Sequence, residues 1–251
     1  MLSTVLRCGP MATLAGQRIV VIGGSAGIGL ETARQARAQG AAVILTGRDR
    51  ARLDAAAKEV DAQGAVAFDA GDSDALARFF RDAPTPIDHV MVTAGAPHYI
   101  PPLEIEPEEA RQAFADKLAL TLQVAQEAVG KVTIGGSLLF VGGTSGRRPR
   151  RGYALIGTVT TALPALIANL ALDLAPTRVN LIAPGFVDTP LSARLLGDDL
   201  DKRREELRTT LPIGRVVGPE DVAALAVHIM TNTALTGATY DIDGGQQLLS
   251  T

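Results

Sequence analysis

The sequence predicts an α/β fold: a single open, doubly wound sheet of seven mostly parallel strands with helices on both faces. Three observations carry this. Short β-branched runs alternate with longer, Ala-rich amphipathic segments along the chain. Two of the runs, VILT at 43–46 and HVMV at 89–92, are apolar throughout, which suits parallel strands buried on both faces. The first run, RIVVIGG from Arg18, breaks into glycines and opens directly into a helical pattern. Strands alternating with helices call for right-handed crossovers, and so for helices on both sides of the sheet.

The elements follow in order. Strands are expected at 18–23, 42–46, 65–68, 88–92, 136–141, 178–182 and 238–242, each a short apolar or β-branched run. Helices are expected at 27–39, 50–62, 73–82, 107–130, 152–175 and 219–231, where apolar positions recur with helical spacing. The stretch 186–217 is the least regular, and its DDLDKRREE run reads as a mobile, solvated flap. No internal repeat or low-complexity linker divides the chain. With 251 residues, 47% of them hydrophobic, it can bury one sizeable core. We expect a flexible extension over 1–15 and one domain over 16–251.

Composition excludes several function classes. A net charge of −3 offers no general attraction to nucleic acid or to an anionic membrane. No apolar stretch reaches the ~20 residues that a membrane span needs. The opening MLSTVLRCGP lacks the apolar segment of a signal peptide. Cys8 is the sole cysteine, so an intramolecular disulfide is ruled out and a reducing, cytoplasmic setting is expected. No His/Cys/Asp spacing suggests a metal.

In open α/β sheets ligands bind beyond the carboxyl ends of the strands. There the segment Gly23, Ser25, Ala26, Gly27, Ile28 and Gly29 forms a side-chain-poor turn. Gly23 permits the tight turn, and Gly27 and Gly29 let backbone approach a diphosphate and helix approach sheet. The following helix aims free N–H groups at that anion. After the second strand comes Thr46-Gly47-Arg48. A carboxylate there would select a free ribose 2′-hydroxyl, whereas Arg48 suits a 2′-phosphate, so NADP(H) is the expected cofactor. Asp69 is placed to accept from the adenine amino group, and Thr93, Ala94 and Gly95 to lie under the nucleotide.

These pieces resemble the short-chain dehydrogenase/reductase family over nearly the whole chain, from about Gly16 onward. The matching motifs are GGSAGIG at 23–29, FDAGD at 68–72, TAG at 93–95, RVNLIAPGFVDTP at 178–190 and GATYDIDGG at 237–245. The resemblance implies a Rossmann-like fold and binding of a nicotinamide dinucleotide. It also implies a cofactor wall of Pro184, Gly185 and Val187 and a contact from Thr189 to the carboxamide or a phosphate oxygen. Homodimers or homotetramers paired through the 107–130 and 152–175 helices are implied as well.

By the same resemblance, catalysis would need a Ser after the fifth strand, a Tyr thirteen residues on and a Lys four beyond. The Tyr is the acid/base, its pKa is lowered by the Lys, and the Ser polarises the carbonyl. Those positions fall on Gly143, Ile156 and Thr160, and no Y-x-x-x-K occurs anywhere in the chain. The family's helix Asn falls on Lys117, and its Asn pair before Ala94 on Val92-Thr93. The substitutes on offer are Tyr153, one helical turn before Ile156, and Lys117; Thr144 and Ser145 are further hydrogen-bond donors. Arg147, Arg148, Arg150 and Arg151 stand in the loop bordering the substrate cleft, where they would select an anionic ligand or form a solvated surface. His98 is a further cleft candidate, while His89 and His228 read as strand and helix residues without partners.

Two functions remain open at this stage. One is an NADP(H)-dependent oxidoreductase acting on a small carbonyl or alcohol through a non-standard site. The other is a non-catalytic NADP(H)-binding sensor or interaction protein on the same fold.

Overall fold

The computed structural model describes residues 13–95, 97, 99 and 103–249. Its seven strands are β1 (Arg18–Ile22), β2 (Ala42–Gly47), β3 (Gly64–Ala67), β4 (Ile87–Val92), β5 (Val132–Val141), β6 (Arg178–Pro184) and β7 (Thr239–Ile242). They form one parallel sheet in the order β3-β2-β1-β4-β5-β6-β7. The chain winds outward from β1 to β3, then returns and winds the other way from β4. The loops after β1 and β4 therefore diverge to opposite faces and leave a crevice between them.

Period-2 alternation sorts the strand residues between two cores. Val20 and Ile22 face one cluster with Phe80, Val90, Val124, Phe140, Leu163 and Ile167. Ile19 and Val21 face the other with Ala33, Leu45, Leu53, Leu139, Val222 and Ile229. Helices α3 (Ser73–Asp82), α4 (Pro107–Ala128) and α5 (Ala154–Asp173) cover the first side. Helices α1 (Gly27–Ala38), α2 (Arg50–Glu59) and α8 (Pro219–Thr231) cover the second. Leu14 is fully buried in this second core, two residues ahead of the expected boundary at Gly16. Residues 1–12, most of the expected extension, lie outside the described residues.

Two expectations need correction. The 186–217 stretch is not an irregular flap: it folds into α6 (Pro190–Leu196), a 3-10 turn over Gly197–Asp199 and α7 (Leu200–Thr210). Thr189 caps α6 by accepting from Ser192 N–H, and Leu207 of α7 is buried. Arg204 forks onto both oxygens of Asp188 at 2.8 Å, which ties α7 back to the end of β6. The charges that suggest solvation in sequence are thus partly spent on anchoring. The second correction concerns α5, 20 residues long with a window of mean hydropathy 1.8, long and apolar enough by composition to cross a membrane. It instead lies against the sheet, with Leu163 and Ile167 fully buried.

His89 is also not without partners. Its Nδ1 meets Ser137 Oγ and its Nε2 meets Gln17 Oε1, both at 2.8 Å. Burial, helped by the Arg178 charge, pushes its pKa down to about 4. Both ring nitrogens are satisfied, so His89 stays neutral inside the sheet.

Candidate functional site

The turn after β1 is held by Gly23 and Gly24 N–H groups, both donating to Thr46 carbonyl oxygen at 3.1 and 2.9 Å. Gly23 adopts φ +96°, and a Cβ there would lie 2.5 Å from Thr93 Oγ1. A Cβ on Gly29 would collide with the Gly23 carbonyl oxygen. Thr93 fastens the two loops together, its hydroxyl donating to Gly23 carbonyl at 2.9 Å. No side chain fits at either glycine.

The first turn of α1 is left open. Its N-cap is Ala26, with no side-chain cap and no acidic residue in the first turn. By contrast, Asp49 caps α2 and Asp72 caps α3. Uncapped N–H groups above a side-chain-free turn fit an anion such as a dinucleotide diphosphate. Gly27, at φ +55°, faces Thr189 across this turn, with 3.4 Å between a built Cβ and the threonine side chain. Ser25 borders the end of β2, its Oγ 3.1 Å from a Cβ placed on Gly47. Ile28 packs its side chain into the second core, so only its backbone faces the turn. Arg48 and Asp69, at the ends of β2 and β3, stand 3.8 Å apart with side chains 72% and 57% exposed. Asp69 also accepts from Gly71 N–H at 3.0 Å.

The far wall comes from β6. Pro184 carbonyl accepts from Thr144 N–H at 3.0 Å, and a Cβ on Gly185 would lie 2.6 Å from Asp243 Cβ. Val187 is buried in the second core and pairs with Val217, so it shapes this wall from behind.

Between these walls lies the loop from β5 to α5. Gly143 has room: a Cβ there would sit at ordinary contact distance, 3.6 Å, from both Pro184 carbonyl and Thr160 Cγ2. Thr160 is buried and its hydroxyl donates to Ile156 carbonyl at 2.8 Å, a bond internal to the helix. Ile156 is partly buried. Tyr153 is the N-cap of α5, its ring 5.4 Å from that of Tyr99 and beneath the Arg150 guanidinium at 5.9 Å. Ser145 lies over the first turn of α5, its carbonyl 3.6 Å from a Cβ on Gly157.

Lys117 reaches from α4 under the β4 loop. Its Nζ donates to Ala94 carbonyl at 3.0 Å and lies 3.7 Å from a Cβ placed on Gly95. No carboxylate among the described residues forms an ion pair with it. Burial pushes its pKa down to about 8.

The arginine cluster is largely committed within the chain. Arg147 forks onto Asp241 at 2.7 and 3.0 Å, Arg148 donates to Leu249 carbonyl, and Arg150 covers Tyr153. Only Arg151 has no such role among the described residues, which weakens the loop as an anion selector. His98 lies outside the described residues.

A family model described as enoyl-(acyl carrier protein) reductase matches residues 23–247. A short-chain dehydrogenase/reductase, ATR9 of Stachybotrys chlorohalonatus, is 30% identical over 258 residues, covering 94% of this chain and 98% of that relative. This chain belongs to the short-chain dehydrogenase/reductase family of oxidoreductases. The fold is shared with MalC Reductase/Diels-Alderase from Malbranchea aurantiaca, with a TM-score of 0.89 at 24% identity over 95% of this chain and 99% of that one. A small-chain dehydrogenase solved in complex with NADPH has a TM-score of 0.79 at 26% identity, over 93% and 99% of the two chains.

Sequence reasoning missed Tyr99 and the anchors Asp188–Arg204 and Arg147–Asp241. Tyr99 stands four residues beyond Gly95, past the carboxyl end of β4, and that position was the available signal. The two ion pairs join residues far apart in sequence, and nothing local announces them.

Proposed function

We propose that this protein is an NADP(H)-dependent oxidoreductase acting on a small carbonyl or alcohol through a non-standard set of catalytic groups. The observation that carries the reading is the open first turn of α1, set over glycines that packing forbids to be anything else. Gly23 to Gly29 would hold the diphosphate, Arg48 the 2′-phosphate with Asp69 beside the adenine, and Ala94 and Gly95 the floor. Pro184, Gly185 and Thr189 would bound the nicotinamide end. A bound nicotinamide supplies or accepts hydride, which leaves orientation and proton transfer to the protein.

Gly143, Ile156 and Thr160 fall on the positions where the family's Ser, Tyr and Lys stand; Gly143 and Ile156 have no side-chain proton to give, and the Thr160 hydroxyl donates to Ile156 carbonyl. Lys117 is the charged group that remains at the floor of the crevice. Its ammonium supplies positive charge next to Ala94 and Gly95, a place suited to an anionic or hydroxyl-rich cofactor. Tyr153 serves as an aromatic wall or as a donor. The apolar residues exposed on the packed helices, Leu122 of α4 and Leu172 of α5, agree with a homodimer or homotetramer joined there. Neither nucleic acid nor membrane enters this reading.

The emptied positions favour a second reading, a nucleotide-binding sensor without turnover. Gly143 has space for a side chain, so packing does not explain its bareness. Titration with NADPH and NADH by calorimetry, with Arg48→Ala alongside wild type, tests the shared premise. We expect wild type to prefer NADPH and Arg48→Ala to lose about 10- to 100-fold in NADPH affinity with little change for NADH. Saturable binding of neither cofactor would reject both readings. Turnover of NADPH with any member of a carbonyl panel separates the enzyme from the sensor.

A further inference from the structure

The closing motif GATYDIDGG at 237–245 and the two glutamines after it have no part in the reading above. They pack behind the β6 wall of the crevice. The ladder between β6 and β7 ends where Gly185 N–H donates to Ile242 carbonyl at 3.1 Å. The next backbone donor, Phe186 N–H, lies past that ladder, and Gln246 supplies its acceptor, Oε1 at 2.9 Å. The same oxygen stands 2.7 Å from a Cβ built on Gly185, beside the Asp243 side chain. The wall is bare at Gly185 because this turn fills the space.

Gln246 is itself held in place. Asp243 is buried, and its two carboxylate oxygens accept from Gly245 and Gln247 N–H, each at 2.9 Å. Gly245 takes φ +85°, and a Cβ there would lie 2.6 Å from Pro212 Cγ, which seats the turn against the segment after α7. Gln247 and Arg147 share Asp241, so the turn is also tied to the loop after β5. A side chain carried on so fixed a turn meets the chain where β6 leaves the sheet and runs on to Thr189, opposite Gly27.

We propose that Gln246 is a positioning residue for the nicotinamide end of the bound dinucleotide, its amide oxygen fixing the Gly185–Phe186 peptide against which the ring is placed. This rests on the cofactor reading above. Gln246 acts through the backbone of Gly185 and Phe186, not by contact with the reacting atoms. Without the acceptor, Phe186 N–H loses its partner in a half-buried place. The segment from Gly185 to Thr189 must then be ordered at the expense of binding. The adenine end, held by Arg48 and Asp69, does not draw on this contact.

Two ligands separate the ends: NADPH carries both, whereas 2′,5′-ADP carries the adenine end alone. Wild type, Gln246→Met, Gln246→Asn and Gln246→Glu are titrated with each by calorimetry, and melting curves confirm folding. Met matches the length of Gln without a strong acceptor, Asn withdraws the amide by one methylene, and Glu keeps an oxygen in place. We expect Gln246→Met and Gln246→Asn to weaken NADPH by about tenfold, the scale of one lost hydrogen bond. Binding of 2′,5′-ADP should change by less than about twofold, and Gln246→Glu should restore NADPH affinity. Fluorescence anisotropy of the nicotinamide at saturation should fall in the Met and Asn variants and return in the Glu variant, which general destabilisation would not produce. Should Gln246→Met melt below the assay temperature, Gln246→Asn decides alone. NADPH affinity unchanged by loss of the acceptor would overturn the proposal, as would equal losses for NADPH and 2′,5′-ADP; either leaves the cofactor reading standing. Wild type that binds neither ligand removes the cofactor reading, and this inference with it.

Discussion

The two sides of the crevice are both poor in side chains, but for different reasons. On the β1 side, Gly23 and Gly29 are bare because backbone and Thr93 fill the space a Cβ would need. On the β5 side, Gly143 is bare although a Cβ would meet nothing closer than 3.6 Å. Packing enforces the first absence and merely permits the second. The glycines of the cradle are therefore imposed by their neighbours, whereas the bareness of Gly143 is not.

The sharpest attack on that contrast compares Gly29→Ala with Gly143→Ser. Gly29→Ala forces a methyl group against Gly23 carbonyl oxygen, so we expect loss of saturable NADPH binding and destabilisation of about 3 kcal/mol or more in urea unfolding. Gly143→Ser should lie within about 1 kcal/mol of wild type and bind NADPH normally. Equal damage from both would erase the distinction.

The buried bases of the two regions sharpen it further. Lys117 has one carbonyl partner and a pKa near 8, below its ordinary 10.5, so the folded state carries its charge at a cost. Between about pH 8 and pH 10.5 the unfolded chain binds the extra proton, and stability gains on the order of 2–3 kcal/mol as pH rises. Lys117→Met should accordingly be more stable than wild type at pH 7 by a similar order, with the gap closing by pH 10.5. It should also bind NADPH more weakly at pH 7, and wild-type affinity should fall as pH rises through about 8 while the variant's does not. Thermal melts and calorimetry across that range check both. A destabilised Lys117→Met with unchanged NADPH affinity would make Lys117 an ordinary packing residue.

His89 gives the matching structural control, and the smaller effect at the site. Its folded pKa is near 4 against an ordinary 6.5, so the unfolded state binds the extra proton between those values. Stability is present above pH 6.5 and is lost as pH falls toward 4, on the order of 2–3 kcal/mol from this residue. His89→Gln should flatten that part of the pH profile and leave NADPH affinity untouched. A change in NADPH affinity would show that the base of the sheet and the crevice are coupled.

Legibility tracked distance along the chain. The glycine turn, Arg48 after β2 and the strand–helix alternation were readable because each depends on residues within a few positions. The absence of Y-x-x-x-K was readable in the same way, since a motif with fixed spacing is either present or not. The fate of the four arginines was not readable: Arg147 depends on Asp241 and Arg148 on Leu249, both from the last strand and tail. The 186–217 stretch reads as solvated in sequence because the partner of a charge such as Arg204, which is Asp188, is fixed only by folding. The partners of His89 are not announced locally, because Ser137 lies across on β5 and Gln17 stands just ahead of β1.

By itself the sequence determined the sheet, its winding and the side-chain-free turn, because periodicity and glycine placement act locally on the backbone. It also determined that no Y-x-x-x-K occurs anywhere in the chain. Only the tertiary structure decided that Thr189 closes over Gly27, that Lys117 lies beneath Gly95 and that the rings of Tyr99 and Tyr153 meet. Those pairings arise where parallel strands bring their carboxyl ends to one edge, a meeting set by strand order and not by spacing along the chain.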